Sequence, residues 1–277
     1  MSRRPEYVGP PEIFYNDDEA EKYTRNSRII EIQTSMSERA IELLALPDDG
    51  LPRYLLDLGC GSGLSGETIE ANGNYWVGVD ISSSMLNVCL ERETESGDVI
   101  QLDLGDGLPF RAGMFDGAIS ISALQWLCNA DKTNQNPVRR LNKLFSSLYA
   151  CLSRGSKAVF QFYPENSEQI ELITKSAMKA GFFGGVVIDF PNSTKAKKMF
   201  LVLFTGSIPK TLPKGLGTED TLSQSNQIRF NSKRSKNYKA PVKSREWILN
   251  KKERYRRRGK DVRSDTKYTG RRRPTAF

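Results

Sequence analysis

The residues best suited to chemistry are carboxylates set around a run of glycines. The stretch LLDLGCGSGLSG, residues 55–66, places Gly59, Gly61, Gly63 and Gly66 behind the apolar run YLLDL, with Asp57 two positions ahead of the first glycine. Glycine admits a positive φ there and removes the Cβ that would hold a ligand off the backbone. Asp80 follows at the end of a second apolar run, YWVGVD, 21 residues after Gly59. A carboxylate at that spacing can accept hydrogen bonds from the two hydroxyls of a ribose. Asp103 closes a third run, DVIQLD. Taken singly, these are an ordinary tight turn and polar strand ends. Their joint spacing implies capture of a nucleoside-bearing ligand.

For those residues to meet, strands must alternate with helices from about Arg53 to Thr205. YLLDL reads as a strand entering the glycine loop, LSGETIEAN as the helix after it, and YWVGVD as a second strand. Ser82 is placed to cap a helix over SMLNVCLERE. DVIQLD and FDGAISISAL read as the third and fourth strands, and VRRLNKLFSSLYACL as an amphipathic helix that SRG should stop. KAVFQFYP is a fifth strand and ENSEQIELITKSAMKAG a further helix. GVVIDF and KMFLVLFTG have no helix between them, so an antiparallel pair should end an otherwise parallel, doubly wound sheet. In such sheets the first strand-to-helix turn opens on the ligand crevice.

Gly61, Gly63 and Gly66 fit the dinucleotide spacing G-x-G-x-x-G as written. Three features favour S-adenosylmethionine over NAD. Asp57 to Gly63 reads D-x-G-x-G-x-G, a pattern similar to the first motif of class I methyltransferases. An acid there suits a pyrophosphate site poorly. Asp103 is placed to meet an adenine amino group, and the closing antiparallel pair resembles the end of those methyltransferase sheets. The expected fold is therefore α/β, a class I S-adenosylmethionine-dependent methyltransferase: Rossmann-like, with a seven-stranded mostly parallel sheet, an antiparallel terminal strand and a basic C-terminal tail.

The tail is set apart by charge. Residues 206–277 hold 21 Lys and Arg against six Asp and Glu, net +15, whereas residues 1–205 hold 20 against 27, net −7. Poor in apolar residues, that segment cannot repay its ordering entropy by burial. Three regions follow: an N-terminal helical segment over 1–50 covering the cofactor site, the methyltransferase domain over 51–205, and a largely disordered tail over 206–277. Within the tail, Trp247, Ile248 and Leu249 should anchor a short helix capped at Ser244. No apolar run approaches the roughly 20 residues that span a bilayer, and the N-terminus lacks the apolar core of a signal peptide. Cys60, Cys89, Cys128 and Cys151 are far apart, and with no histidine in the chain a metal site is not expected. Buried reduced thiols are the better reading.

The missing histidine also bears on the methyl acceptor. Oxygen acceptors commonly need a general base, most often histidine, whereas a ring nitrogen with a free lone pair needs none. Lys, Asp and Glu remain available as bases, so oxygen acceptors stay open on this ground.

Specific stretches then narrow the reading. SISALQWLCNA at the fourth strand, PPEIFYNDDEAEKYTRNSRIIEIQTSM near the start, YPENSEQIELI after the fifth strand, PNSTKAKKMFLVLF, and KSREWILNKKERYRRRGKDVRSDTKYTGRRR in the tail closely resemble the eukaryotic small-subunit rRNA guanine-N7 methyltransferases. This is the family of the Williams–Beuren syndrome region and of yeast bud-site selection. The resemblance covers essentially the whole chain. It implies methylation of a guanine at N7 in 18S rRNA during small-subunit biogenesis, within pre-ribosomal particles of the nucleus (nucleolus and nucleoplasm), with the cytoplasm left open as a second compartment. It also implies a heterodimer with a small zinc-binding activator protein, for which the edge strand around Val99 and Gln101 could accept an added strand. No membrane partner is expected.

The resemblance also implies residue roles. Gly59, Gly61 and Gly63, with Asp57, should line the methionine and ribose part of the cofactor. Asp80 and Ile81 belong with the ribose, and Asp103 and Leu104 with the adenine. Tyr15, Tyr23 and Arg25 lie on a segment that can close over the cofactor. Ser122, Gln125, Trp126 and Tyr163, with Glu165 beside it, should position the acceptor base without a general base. Trp126 stands either stacked on the guanine or in the core. Two other functions stay open: an assembly factor in which catalysis is secondary, and a methyltransferase for another RNA.

Overall fold

The computed structural model describes residues 4–92, 94–130, 135–193, 195–206, 213–217, 245–257, 262–266 and 269. Helices α1 (Pro11–Phe14), α2 (Asp17–Arg25) and α3 (Ser27–Leu44) precede a seven-stranded sheet. Asn16 and Asn26 start α2 and α3 by accepting backbone N–H bonds, Glu19 N at 3.1 Å and Arg28 N at 3.1 Å. The chain then runs β1 (Tyr54–Leu58), α4 (Leu64–Ala71), β2 (Tyr75–Asp80), α5 (Ser83–Glu91), β3 (Gly97–Gln101), β4 (Phe115–Ile121), α6 (Pro137–Cys151), β5 (Leu152–Phe162), α7 (Ser167–Lys179), β6 (Phe183–Asp189) and β7 (Lys198–Phe204). Spatial order is β3-β2-β1-β4-β5-β7-β6. Strand β7 pairs antiparallel with both β5 and β6, and the other pairings are parallel. The last strand in the chain is therefore inserted between β5 and β6, and β6 takes the edge.

The central strands are buried in continuous runs, and the alternating direction of their side chains divides the core between the two faces. Leu56, Leu58, Ala118, Phe160 and Leu201 pack with Leu141, Phe145 and Leu148 of α6 and Ile173 of α7. Leu55, Ile119, Val159, Phe200 and Val202 pack with Met36, Ala40 and Leu44 of α3 and with Ile69 of α4. Helix α3 is thus a core element of the sheet's second face.

Gly66 belongs to this packing. It sits in α4, and a Cβ there would come within 2.2 Å of the Trp76 indole. The third glycine of the G-x-G-x-x-G spacing thus lets helix and strand approach instead of facing a ligand.

Helix α6 stops before SRG as expected, but these three residues belong to a strand and not to a turn. The helix ends at Cys151, the extended Leu152 begins β5 at once, and Ser153 to Gly155 lie inside that strand. Leu152 is buried and pairs with Phe115, so sheet pairing overrides the local turn signal. Gly155, at φ 85°, absorbs a register shift between β4 and β5.

The first compact unit extends to Thr221, and a second covers Leu222–Phe277. Beyond Gly206, residues 213–217 hold to the first unit. Leu216 N donates to Asp189 Oδ1 at 2.8 Å, Phe190 N donates to Leu216 O at 2.7 Å, and Arg39 Nη2 donates to Lys214 O at 3.1 Å. The second unit contains α8 (Arg245–Arg257). Lys252 Nζ and Arg256 Nη2 bind the two oxygens of Asp265, at 2.7 and 2.5 Å, which folds residues 262–266 back along that helix. The expected cap Ser244 lies outside the described residues. Among them, no helix is long and apolar enough to cross a membrane, and no group of three or more His, Cys, Asp or Glu could hold a metal ion.

Candidate active site

A crevice opens at the carboxyl ends of β1, β2 and β4. It encloses about 880 Å³ of empty space, part of it continuous with solvent. The floor is the glycine loop. Gly59 takes φ 73°, and a Cβ on it would lie 2.3 Å from that of Ala123, so the loop after β4 can close against the loop after β1 only with glycine here. Asp80 faces the crevice from the end of β2. Its Oδ2 accepts from Gly61 N at 2.9 Å and its Oδ1 from Ser82 N at 2.9 Å. Burial pushes its carboxyl up, and these backbone bonds pull it back. The acid and the loop thus hold each other in place, with lone pairs remaining for a diol.

Asp103 stands across the crevice. Gly105 N at 2.8 Å and Arg140 Nη2 at 2.7 Å both bind its Oδ1, which leaves Oδ2 able to accept from an amino group. Ile81 and Leu104 supply apolar wall beside these two acids. Nucleoside chemistry fits this arrangement at both ends.

The N-terminal segment forms the roof. Tyr15 and Tyr23 line the crevice with ring centroids 6.0 Å apart, and Tyr15 lies 5.8 Å from Trp126. Phe14 completes the group, 6.0 Å from Trp126. Ser82 Oγ donates to Tyr15 O at 2.8 Å and so ties the roof to the start of α5. Burial raises both tyrosine hydroxyls far above their ordinary pKa, so neither serves as a base near neutrality. Trp126 is buried under this aromatic roof and also lines the crevice.

On the acceptor side the chain leaves β4 under strain. Ser122 holds φ 58° without being glycine, a conformation that persists only where its surroundings enforce it. Its N–H donates to Gln161 O at 2.9 Å and its Oγ to Gln161 Oε1 at 2.8 Å. Gln125 Nε2 donates to Ser122 O at 2.8 Å, which braces the turn. Ser122 and Trp126 line the crevice, whereas Gln125 lines a smaller cavity next to it with Glu165. Tyr163 lines neither. Its hydroxyl accepts from Lys198 Nζ at 2.9 Å and lies 3.3 Å from Met36 Sδ.

Asp57, Gly63 and Arg25 also stand outside the crevice lining. Asp57 is fully buried beneath the loop, where Ser65 Oγ donates to its Oδ2 at 2.5 Å. Burial pushes its carboxyl up to about 7. It supports the loop from below, outside the crevice lining. Gly63 is the N-cap of α4 and backs onto Cys89, and Arg25 pairs with Glu21 on the surface of α2. Sequence reasoning missed Gln33, Met85 and Arg140, which all line the crevice. Met85 is one turn into the Ser82-capped helix, a signal that was there to use. Arg140 reads as solvated face, and nothing local marks Gln33.

Comparison with known proteins follows this geometry. Residues 56–160 match the family described as methyltransferase domain, and residues 203–275 match that described as methyltransferase involved in Williams-Beuren syndrome. The chain is 60% identical to the 18S rRNA (guanine-N(7))-methyltransferase of Mus musculus, over 100% of this chain and 99% of that one. The chain belongs to the 18S rRNA (guanine-N(7))-methyltransferase family. The Saccharomyces cerevisiae 18S rRNA (guanine(1575)-N(7))-methyltransferase is 48% identical over 99% of each chain. An Arabidopsis thaliana member is 54% identical over the full length of both. Among solved structures, magnesium protoporphyrin IX methyltransferase from Synechocystis with bound SAM superposes with TM-score 0.55 at 14% identity, covering 74% of this chain and 99% of that one. The phosphoethanolamine N-methyltransferase 2 of Haemonchus contortus with S-adenosyl-L-methionine gives 0.52 at 18% identity, covering 70% and 58%. These structures share the class I methyltransferase fold; the family relationship rests on the full-length relatives.

Proposed function

We propose that this chain transfers a methyl group from S-adenosylmethionine to N7 of a guanine in small-subunit rRNA. The observation that carries the reading is similarity over the entire chain, tail included, to 18S rRNA (guanine-N(7))-methyltransferases. The site agrees chemically. In this reading Asp80 and Gly61 take the ribose, Asp103 Oδ2 the adenine amino group, and the loop at Gly59, closed against Ala123, the methionyl part. When bound, S-adenosylmethionine supplies an electrophilic methyl on a sulfonium. The residues on the acceptor side orient the base and exclude water. Ser122 and Gln125 fix the turn that forms this wall, and Trp126 supplies an aromatic surface beside it. N7 carries a free lone pair, so no proton need be removed, in keeping with tyrosines held protonated and a chain without histidine. Proximity and orientation then supply most of the rate.

Two finer assignments belong to this reading. A small zinc-binding activator docks as an added strand on β3, the edge of the sheet, where Ile100 is 41% exposed. Retention of the activator by a Val99 and Gln101 double substitution would exclude this edge. The basic tail takes the protein to the nucleus and binds rRNA phosphates.

The test is Asp80→Ala in cells with no other copy, reading 7-methylguanosine in 18S rRNA by chemical cleavage alongside 18S rRNA abundance. The mark should disappear. Its persistence in a variant shown not to bind cofactor overturns the enzymatic reading. Normal 18S rRNA without the mark separates catalysis from assembly.

A further inference from the structure

The segment after β3 is held against α6 at three points. Arg140 Nη2 donates to Asp103 Oδ1 at 2.7 Å, Lys143 Nζ stands 3.4 Å from Asp106 Oδ1, and Ser147 Oγ accepts from Leu108 N at 2.9 Å. Residues 140, 143 and 147 share one helix face by their spacing. Lys143 and Asp106 are both largely exposed, so their pair contributes little. Arg140 differs. Its side chain is only 12% exposed, and of the three it is the one that lines the crevice.

The guanidinium occupies space that a side chain on the loop would otherwise fill. A Cβ on Gly105 would lie 2.1 Å from Arg140 Nε and 2.8 Å from its Cζ, so the group rests on the open side of that residue. Gly105 does not have a positive φ, so room for Arg140, and not backbone conformation, is what calls for glycine here. A cation in the opening turn of α6 also works against the helix dipole, and no acid stands in that turn to offset it. Arg140 therefore serves the loop and not its own helix.

What it does there follows from the lone pairs of Asp103. Gly105 N reaches Oδ1 at 2.8 Å through a local turn, which anchors one oxygen and leaves the carboxylate able to twist about Cβ–Cγ. Arg140 reaches the same oxygen from a different element, so the plane is set and both lone pairs of Oδ1 are used. Among the described residues, no donor bonds Oδ2.

We propose that Arg140 is a positioning residue that makes this pocket selective for a 6-amino purine. The inference rests on the cofactor reading above, in which Asp103 takes the adenine, and adds what gives that contact its selectivity. With Oδ1 occupied, Oδ2 is presented as an acceptor in one direction. A 6-amino group donates to it, whereas a purine with hydrogen at C6 leaves that oxygen without a partner. Arg140 acts through Asp103 and not on the reacting atoms. Its loss frees the angle of Oδ2 without removing the acceptor.

The test compares two ligands on the purified full-length chain by calorimetry: S-adenosylhomocysteine, and its analogue with hydrogen in place of the purine 6-amino group. Wild type should prefer the amino form by about tenfold to a hundredfold, the worth of one hydrogen bond to a charged group. Arg140→Met should bring that ratio close to parity. Arg140→Lys, which keeps a cation without the planar fork, should recover part of it. Gly105→Ala should act like Arg140→Met, because its methyl displaces the flexible end of Arg140 while leaving the arginine in the chain. A merely structural role would weaken both ligands alike and leave the ratio where it was. An unchanged ratio in Arg140→Met, or in Gly105→Ala where Arg140→Met does not fold, overturns the proposal, as does equal binding of the two ligands by wild type. Failure of wild type to bind S-adenosylhomocysteine at all would instead sink the cofactor reading, so the two failures are distinct.

Discussion

Helices α6 and α8 are close in length, at 15 and 13 residues, yet they are held by different forces. Helix α6 buries Leu141, Leu144, Phe145, Leu148 and Cys151 against the sheet. None of the described side chains of α8 is buried, and its recorded ion pairs run from Lys252 and Arg256 to Asp265 at the surface. Burial of apolar area is insensitive to salt, whereas exposed ion pairs are screened within about 10 Å at 0.1 M salt. The first unit is therefore a scaffold whose geometry survives changes of medium. The second is a charged element whose shape and partners respond to ionic strength.

Truncation breaks this comparison most directly. Removing residues 222–277 should weaken rRNA association and flatten the dependence of log K on log salt, with cofactor affinity unchanged. Filter binding across a salt series and calorimetry with S-adenosylhomocysteine would check both halves. Truncation at residue 206 also removes the Leu216 and Lys214 groups bound to Asp189 and Arg39, and should lower stability by about 1 to 3 kcal/mol more. Equal melting of the two truncations would show that the clip contributes nothing.

Within the scaffold, Gly66→Ala forces a methyl into the Trp76 ring, at 2.2 Å before relaxation. Overpacking of this kind should cost about 1 to 3 kcal/mol, or roughly 2 to 4 °C of melting temperature for each. An unshifted melting curve would mean that the helix can slide on β2.

The smallest effect sets two carboxylates against each other. Buried Asp57 titrates near 7 when folded and near 4 when unfolded, so the folded state binds more protons between those values. Stability from this group therefore falls as pH rises from about 4 to 7, and Asp57→Asn should flatten that slope in melts of the cofactor-free protein. Asp265 has the opposite sign. Hydrogen bonds from Lys252 and Arg256 hold its carboxyl below the usual range, so its contribution is present above the ordinary carboxylate pKa and is lost as pH falls through the lowered one. Parallel slopes for the two residues would contradict this assignment.

What could be read in the sequence follows from how local each cause is. The glycine turn, Asp80 and the Ser82 cap depend on neighbours within a few residues, and all three stand where spacing puts them. The seven strands were legible from apolar runs. The position of β7 between β5 and β6 depends on pairing with two distant strands, and a run of residues does not encode that. The start of β5 was read too late, because the pairing of Leu152 with Phe115 draws Ser153 to Gly155 into the strand. Asp57 looked like a ligand residue by its place in the motif, yet a strand residue two before the loop points away from the crevice. Gln33 and Arg140 come from elements that only tertiary docking brings to the site.

The hydrogen bond between Ser82 Oγ and Tyr15 O has a consequence for turnover. Pro11, Tyr15 and Tyr23 roof the same crevice that the glycine loop floors, so spent cofactor and fresh cofactor exchange through a mouth these residues border. Each exchange that passes beneath the roof has to break that tie and part the aromatic rings of Tyr15 and Trp126. The roof thereby opposes release of a bound nucleoside alongside the acids that hold it.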